Sequence, residues 1–436
     1  MAGGRELLIF AAVFLLLLYV LYRYRSSQIP FHRICLAIII IGVCCRLLFL
    51  FFTPTYYAPD EQAHFNYVKY LYENRSFPIQ TTQTGAPTND WEYYQPPLYY
   101  LASAPIYAMV RNSCGGDHYA SVRVIRLFSI LLWGINVLLA LKILENLRVT
   151  STFIKTFVVS MVSFLPTYAY LSSVINNDNL LITLGGAILY LLSRKRSISN
   201  SVVLGVVLGL ALLTKLTAVV FLLAIAAMLF FQWIRRSLSF SSAGFHLVLI
   251  LVLASAVASP WYVRNVIVYG DITAEKIANI RVHWPSTSYA LQFIQQYMKE
   301  SFWSVAGIRN NIRFLPRAGI YLSYLALAGL LYGLVLRRRE MRDFLEGEGA
   351  AFLIATALAI VVNIALVFRF GMLYAQGQGR FLFPMLVPIS LLMAIGIRML
   401  GITRLSRNAH LFPTAFFLAY LLSFISHSFK IFVQLW

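Results

Sequence analysis

Charged residues are scarce in this chain, and acidic residues are scarcer than basic ones. Only 12% of its 436 residues are charged and 60% are hydrophobic, and the mean hydropathy is +0.73. This composition excludes a soluble globular domain and indicates a polytopic membrane protein. Lys and Arg outnumber Asp and Glu by 36 to 16, which gives a net charge of +20. We attribute that excess to basic residues at membrane boundaries, as the positive-inside rule predicts, and not to nucleic-acid binding.

Motifs that would indicate nucleotide or metal chemistry are also missing. Three of the four cysteines share one apolar run (Cys35, Cys44 and Cys45) and Cys114 stands alone, a pattern that indicates neither a disulfide framework nor a zinc site. No Walker-type loop occurs, so ATP-driven transport by this chain alone has no support. No HExxH motif or Cys/His cluster points to a zinc hydrolase.

Twelve apolar runs are suited to crossing a membrane, near 7–22, 34–53, 124–144, 152–174, 178–193, 200–214, 217–233, 245–263, 318–336, 350–368, 381–398 and 410–429. A thirteenth uncharged run, Tyr93–Val110, decides the topology. If it crossed, the basic clusters at 194–196, 235–236 and 337–339 would face outward, against the positive-inside rule. We therefore predict that it lies along the outer surface or dips into it, as a surface or re-entrant helix. The predicted fold class is an all-α polytopic membrane protein with about twelve transmembrane helices and interfacial helices in its first outer loop.

This topology divides the chain into four segments. They are an extra N-terminal helix and basic turn (1–32), a module at 33–263 that contains the first outer loop (54–123), a long outer loop (264–317) and C-terminal transmembrane helices (318–436). We interpret run 7–22 as a retained helix, because no small-residue cleavage site follows it. Polar residues that carry chemistry are expected on the outer side.

Asp60 and Glu61 form the most informative pair of residues. They precede a run of aromatic residues with helical spacing that includes His64, as in a helix lying at the membrane interface. Their position at a helix N-terminus favours ionised carboxylates. They serve either as caps of that helix or as catalytic groups. His64 has either a simple hydrogen-bonding role or a role in substrate binding.

Further polar residues are predicted to reach the same side. Asp178 follows Asn176 and Asn177 in a turn between two apolar runs, where it either caps the next helix or supports a site. Lys215, Arg264 and Arg380 are outer cations that either snorkel to lipid headgroups or together bind phosphate. Arg46, inside a spanning run, either joins this set or pairs with a carboxylate.

The order of these motifs resembles a known group of enzymes. An outer Asp-Glu, Pro-Pro-Leu-Tyr, an Asn-Asp turn, Leu-Thr-Lys, Trp-Tyr-x-Arg-Asn and Gln-Gly-Arg-Phe-x-x-Pro follow one another between about residues 33 and 400. The set resembles the GT-C superfamily of membrane glycosyltransferases and, more closely, the DUF2142 family grouped with them. Where many such enzymes have His-Pro-Pro or Lys-Pro-Pro, this chain has Gln95-Pro96-Pro97.

The resemblance implies transfer of a sugar from a polyprenyl-phosphate-linked donor to a surface glycan, lipid or protein, outside a bacterial plasma membrane. Phosphate is a good leaving group, so one carboxylate is sufficient as general base, and inversion is expected. The catalytic residues would be Asp60 as the general base, Glu61 as its orienter or a cation ligand, and Asp178 as support. These three would also hold a divalent cation (Mg or Mn) if one binds. Lys215, Arg264 and Arg380 would bind the donor phosphate, and the substrate-binding residues would be His64, Tyr94, Gln95 and Asn177. The alternatives are a flippase for lipid-linked sugars and a non-catalytic subunit of a glycan-assembly complex.

Overall fold

The computed structural model describes residues 30–113, 118–278, 280–304, 315–345, 347–401 and 409–433, together with Leu15 and Tyr19. Within these residues the chain consists of helices and their connections, with no β-strand. Apart from Leu15 and Tyr19, the predicted N-terminal span at 7–22 lies outside the described residues. The all-α fold class is confirmed.

The helices of the first half contain the first outer loop and the start of the bundle. In chain order they are α1 Phe31–Phe52, α2 Glu61–Asn74, α3 Leu98–Ser113, α4 His118–Asn146, α5 Thr152–Phe164, α6 Pro166–Leu171, α7 Asp178–Leu192 and α8 Ile198–Leu212. A 3₁₀ turn, Leu216–Val219, leads from α8 into the second half.

The second half adds longer helices and a second group of short ones. They are α9 Val220–Ile234, α10 Phe240–Tyr269, α11 Glu275–Ala278, α12 Thr287–Trp303, α13 Leu315–Leu336, α14 Arg338–Leu345, α15 Gly347–Tyr374, α16 Leu386–Met399 and α17 Phe412–Val433. The 3₁₀ segments Gly379–Met385 and Ala409–Leu411 precede α16 and α17.

Within the described residues, eight segments are long and apolar enough to cross a membrane, by length and composition. Three shorter apolar helices, α5, α7 and α8, accompany them. Together these segments coincide with eleven of the twelve predicted runs. The chain is therefore an integral, multi-pass membrane protein, and the total of twelve spans stays a prediction.

The predicted run 152–174 is not one helix. The helix α5 stops at Phe164 because Leu165 precedes Pro166, and the residue before a proline is biased towards extended backbone. After the short helix α6, the chain continues as buried turns to Asn177. This break brings irregular backbone and its polar groups into the interior of the bundle, next to the start of α7.

Close helix contacts in the bundle depend on glycine. The helices α13 and α16 meet at Gly329 and Gly396, where a side chain on either glycine would overlap the backbone of the other helix. Such small residues let helices approach closely in a membrane, where association depends largely on van der Waals packing.

The first outer loop has an aromatic core of its own. The helices α2 and α3 pack together, and the rings of Tyr67 and Tyr100 stack with their centroids 3.9 Å apart. The helix α3 has 16 residues with Pro105 inside it, and it packs against α2 and α4. It is thus an additional helix of the loop, as predicted for run 93–110, although it begins at Leu98 and not at Tyr93.

Several cations lie at the end of the bundle away from Asp178. Asp178 begins α7, and Arg194 and Lys195 follow its other end, about 20 Å away for a helix of this length. There they line a cavity of about 570 Å³ together with Arg148 and Arg398. These are cations that the topology prediction assigns to the inner side, and the structure places them at the end away from Asp178.

Candidate functional site

Asp60 has an unusual backbone conformation and a side chain that does not cap its helix. It stands just before α2 with φ 62° and ψ 1°, in the left-handed region, and its side chain makes no capping hydrogen bond. Non-glycine residues held there by their surroundings are enriched at functional sites. The side chain is 29% exposed, and its Oδ2 atom lies 3.2 Å from Nη2 of Arg380. The capping interpretation of Asp60 is therefore wrong, because the carboxylate points to Arg380.

A chain of ion pairs connects Asp60 to two more of the predicted residues. Nε of Arg380 lies 3.8 Å from Oδ2 of Asp178, and Nζ of Lys215 lies 2.6 Å from Oδ1 of Asp178. We call Asp60, Arg380, Asp178 and Lys215 the charge cluster. Its two carboxylates and two cations balance one another, and Asp178 is only 4% exposed.

Each member of the charge cluster is positioned by the start of a helix. Asp178 is the first residue of α7, and its backbone N–H donates to Oδ1 of Asn176 at 2.8 Å. Lys215 precedes the 3₁₀ turn after α8. Arg380 follows Gly379, whose N–H donates to Oγ of Ser301 at 2.7 Å. A side chain at position 379 would overlap the backbone of α12, so only glycine lets Arg380 approach in this way.

Several polar atoms at the site lack a hydrogen-bond partner among the described residues. They are Oδ2 of Asp178, Nε of Arg380, Oδ1 of Asn177 and Oε2 of Glu92, and all are buried. Buried polar atoms are costly unless they are hydrogen-bonded. Four of them near one another indicate a place where a polar ligand binds.

Glu92 was not among the residues that the sequence singled out. Its Oε2 atom lies 4.0 Å from Nδ1 of His64, and its side chain is 12% exposed. Burial, reinforced by the negative charge of Asp60, raises the pKa of Glu92 to about 8. The carboxyl group is therefore mostly protonated at neutral pH. An acidic residue three positions before Gln95 was the only signal that the sequence offered.

His64 is a neutral hydrogen-bonding residue at the edge of this site. Its Nδ1 atom lies 2.9 Å from the hydroxyl of Tyr100. Burial lowers the pKa of His64 to about 3, and the cations Lys215 and Arg380 act in the same direction. The imidazole is therefore uncharged at neutral pH.

Tyr94, Gln95 and Asn177 form a connected group beside the charge cluster. Nε2 of Gln95 donates to the Tyr94 hydroxyl at 2.9 Å, and Nδ2 of Asn177 reaches Oε1 of Gln95 at 3.5 Å. Tyr94, Gln95 and Lys215 line a cavity of about 350 Å³ whose other walls are mainly apolar, with Trp261, Val367 and Phe370 among them. The cavity thus has a positively charged side chain, Lys215, in a wall that is otherwise mainly apolar.

Glu61 is not brought into this site. Its side chain is fully buried and forms a two-bond ion pair with Arg126, with Oε1 2.8 Å from Nε and Oε2 2.6 Å from Nη2. The backbone N–H groups of Tyr56 and Ile175 also donate to it, each at 3.1 Å. Both oxygens are occupied, so Glu61 anchors the start of α2 to α4 and to the turn before α7. Arg126 was not singled out from the sequence, because it lies within the predicted spanning run 124–144.

Two predicted cations also lie outside the charge cluster. Arg264 donates to the carbonyl of Pro78 at 2.5 Å and its guanidinium lies 4.6 Å from the ring centroid of Trp261. Arg46 neither joins the set nor pairs with a carboxylate among the described residues. It lies 3.7 Å over the ring of Trp133 and donates to Ser172 and to the carbonyls of Gly42 and Ser163.

The contacts of the acidic residues do not suit a divalent ion. No group of three or more His, Cys, Asp or Glu side chains in the part of the chain that the structure describes could hold one. Arg380 lies between Asp60 and Asp178, where a bridging cation would have to bind, and both oxygens of Glu61 face Arg126. The charge that balances the two aspartates is supplied by side chains.

Comparisons with known proteins agree with this architecture. Residues 118–263 match the sequence model of a family described as dolichyl-phosphate-mannose-protein mannosyltransferase. No curated protein sequence matches the chain significantly. The crystal structure of ArnT from Cupriavidus metallidurans bound to undecaprenyl phosphate is similar, with a TM-score of 0.56 at 11% sequence identity over 92% of this chain and 77% of that one. The apo structure of the same protein has a TM-score of 0.40 at 14% identity over 88% and 76% of the chains.

The resemblance to the DUF2142 family stays a prediction, since these comparisons do not involve that family. ArnT has the GT-C fold, and the similarity to its undecaprenyl-phosphate-bound structure covers almost all of this chain. The protein is therefore a polytopic membrane protein with the fold of the GT-C superfamily.

Proposed function

We propose that this protein is a membrane glycosyltransferase that takes a sugar from a polyprenyl-phosphate-linked donor. The observation that carries the proposal is a partly exposed aspartate, Asp60, which is connected through Arg380 and Asp178 to Lys215 in the wall of an apolar cavity. The similar structure contains undecaprenyl phosphate, and the description of the matching family names dolichyl-phosphate-mannose. The acceptor would be a glycan, lipid or protein on the outer face of a bacterial plasma membrane.

Lys215 and Arg380 would bind the phosphate of the donor. Lys215 lines the cavity of about 350 Å³, where the apolar walls suit an isoprenoid chain and the ammonium suits its phosphate. Nε of Arg380 is a buried donor without a hydrogen-bond acceptor among the described residues. Charge-assisted hydrogen bonds from such donors bind phosphate strongly and stabilise the charge that develops on it.

Asp60 would act as the general base. The acceptor hydroxyl would transfer its proton to the Asp60 carboxylate while its oxygen attacks the anomeric carbon. The bond from that carbon to the phosphate oxygen would break, and the polyprenyl phosphate would leave with the electron pair. Attack from the side opposite the leaving group inverts the anomeric carbon. A positioned base of this kind contributes a factor of about 10² to 10⁴ to the rate.

Asp178 would act through its neighbours. It is almost fully buried and lies against both cations, so it holds Lys215 and Arg380 in place. Asn177, Gln95 and Tyr94 would then contact the sugar or its phosphate, because one amide oxygen of this group has no partner in the described residues.

The test is a transfer assay on purified Asp60→Asn protein supplied with polyprenyl-phosphate sugars and a membrane extract as acceptor. We expect release of polyprenyl phosphate to fall by a factor of about 10² or more, while polyprenyl phosphate still binds. Glu73→Gln is the matched control, because Glu73 is an exposed acid on α2 that pairs only loosely with Lys69, at 3.9 Å.

Unchanged release by Asp60→Asn would contradict the role of Asp60. Wild-type protein that moves lipid-linked sugars across vesicle membranes but transfers none would support the flippase alternative instead.

A further inference from the structure

The acid that the proposed mechanism does not use is Glu92. It follows Trp91 in the first outer loop, and only 12% of its side chain is exposed. Its Oε2 atom has no hydrogen-bond partner among the described residues. The nearest basic atom identified is Nδ1 of His64 at 4.0 Å, which is beyond hydrogen-bond distance. A buried carboxyl oxygen without a partner is costly, so the position is explained best by a ligand atom that completes it.

All four charged side chains of the charge cluster act electrostatically on Glu92. Two neutral groups, His64 and Tyr100, and the four members of the charge cluster act on it: Asp60, Asp178, Lys215 and Arg380. With Glu92 protonated, the two aspartates balance the two cations. With Glu92 ionised, three carboxylates would oppose two cations, and the site would repel an anion.

We propose that Glu92 binds the donor phosphate as a neutral carboxylic acid, whose O–H donates a hydrogen bond to a phosphate oxygen beside Lys215 and Arg380. This inference rests on the proposed function, because it takes the phosphate of the lipid-linked donor as the ligand. A protonated carboxyl supplies the donor that a phosphate oxygen accepts, and it adds no negative charge.

The inference makes donor binding depend on the protonation of one residue. Below pH 8 the acid is neutral and contributes its hydrogen bond, and above pH 8 it ionises and opposes the phosphate. For a single proton linked to binding, the affinity falls by about tenfold between pH 7 and pH 9. The other charges of the site are common to all the variants below, so their own titration cancels in a ratio.

The experiment measures the Kd of polyprenyl phosphate for purified full-length protein in detergent at pH 7, 8 and 9. Glu92→Gln keeps a neutral donor that cannot ionise, so we expect wild-type affinity at pH 7 and a weaker pH dependence than in the wild type. The ratio of wild-type to Glu92→Gln affinity should fall by about tenfold from pH 7 to pH 9. Glu92→Ala should bind less tightly than Glu92→Gln by about tenfold at every pH, because it has no donor. Glu73→Gln is the matched control and should follow the wild type.

The inference is overturned if wild type and Glu92→Gln share one pH profile. It is also overturned if Glu92→Gln loses more than tenfold in affinity at pH 7 with an unchanged melting temperature, or if Glu92→Ala binds as well as the wild type. These outcomes leave the proposed function intact. Wild-type protein that fails to bind polyprenyl phosphate at any pH contradicts the proposed function and this inference together.

Discussion

Asp60 and Glu61 are neighbours in the chain, but the structure uses them in opposite ways. Glu61 is fully buried, and Arg126 and two backbone N–H groups occupy both of its oxygens. Asp60 is partly exposed in a left-handed backbone conformation, and its ion pair with Arg380 is longer than that of Glu61 with Arg126. An acid whose hydrogen bonds are all made by the protein holds the fold together. An acid with spare oxygens beside unpartnered polar atoms is available to a ligand.

The same contrast separates the cations. Arg126 and Arg264 direct their donors to fixed partners, a carboxylate and a backbone carbonyl. Lys215 lines a cavity, and Arg380 keeps a donor without an acceptor among the described residues. Charge alone does not identify a phosphate-binding residue. The cations proposed here either line a cavity or lie beside other buried polar atoms that lack a partner among the described residues.

The largest effect is expected from breaking the Glu61–Arg126 pair. Arg126→Leu leaves Glu61 buried without its cation, which costs about 3–5 kcal/mol for such a pair. We expect a large loss of folded protein and of melting temperature in detergent. Arg123→Leu, an exposed residue on the same helix, is the control and should behave as the wild type. If Arg126→Leu melts normally, the ion pair does not anchor α2.

The next effect distinguishes the two kinds of cation in donor binding. Lys215→Gln keeps a hydrogen-bond donor for Asp178 but removes the charge beside the cavity, so we expect polyprenyl phosphate to bind about tenfold more weakly. Arg264→Gln should change the Kd by less than about twofold, since Arg264 already donates to Pro78. Equal losses in the two variants would remove the distinction drawn here.

The last prediction concerns stability and pH in the absence of ligand. The folded pKa of Glu92 is raised to about 8, so the folded state keeps a proton that the unfolded state loses above about pH 4.5. Its contribution to stability is therefore complete at low pH and is lost as the pH rises to 8. His64, with its folded pKa lowered to about 3, acts oppositely, but only below about pH 6.5.

Between pH 6.5 and 8 the effect of Glu92 remains while that of His64 is absent, and the Glu92 effect is worth up to about 2 kcal/mol. The melting temperature of the wild type should fall by a few degrees over this range, and that of Glu92→Gln should fall less. A wild-type curve that is flat, or that rises, would show that Glu92 is ionised in the folded protein.

Most of the architecture follows from the lengths of the apolar runs, because a helix that crosses a membrane needs an apolar run of about membrane thickness. The exception is run 152–174. Length alone predicts one helix there, but α5 ends at Phe164, two residues before Pro166. The site was less predictable. Asp60, Asp178, Lys215 and Arg380 were all named from the sequence, but their grouping depends on tertiary contacts among four separate segments.

The sequence does not separate these residues from one another, and the reason is common to all of them. Glu61, Arg264 and Asp60 look alike in a sequence, as charges in outer loops, and only the partners of each side chain separate them. Arg126 was missed because a buried cation inside an apolar run looks like a boundary residue. Glu92 was missed because its importance comes from burial in an aromatic loop, and sequence spacing does not report burial.

The central claim is that Asp60 takes a proton from the acceptor during sugar transfer. Its most direct test is the single-turnover rate of transfer from enzyme already loaded with lipid-linked sugar, because this rate excludes donor binding and product release. Asp60→Asn should lower this rate by a factor of about 10² or more while leaving the melting temperature and the donor Kd near those of the wild type. A variant that transfers its bound sugar at the wild-type rate would contradict the account.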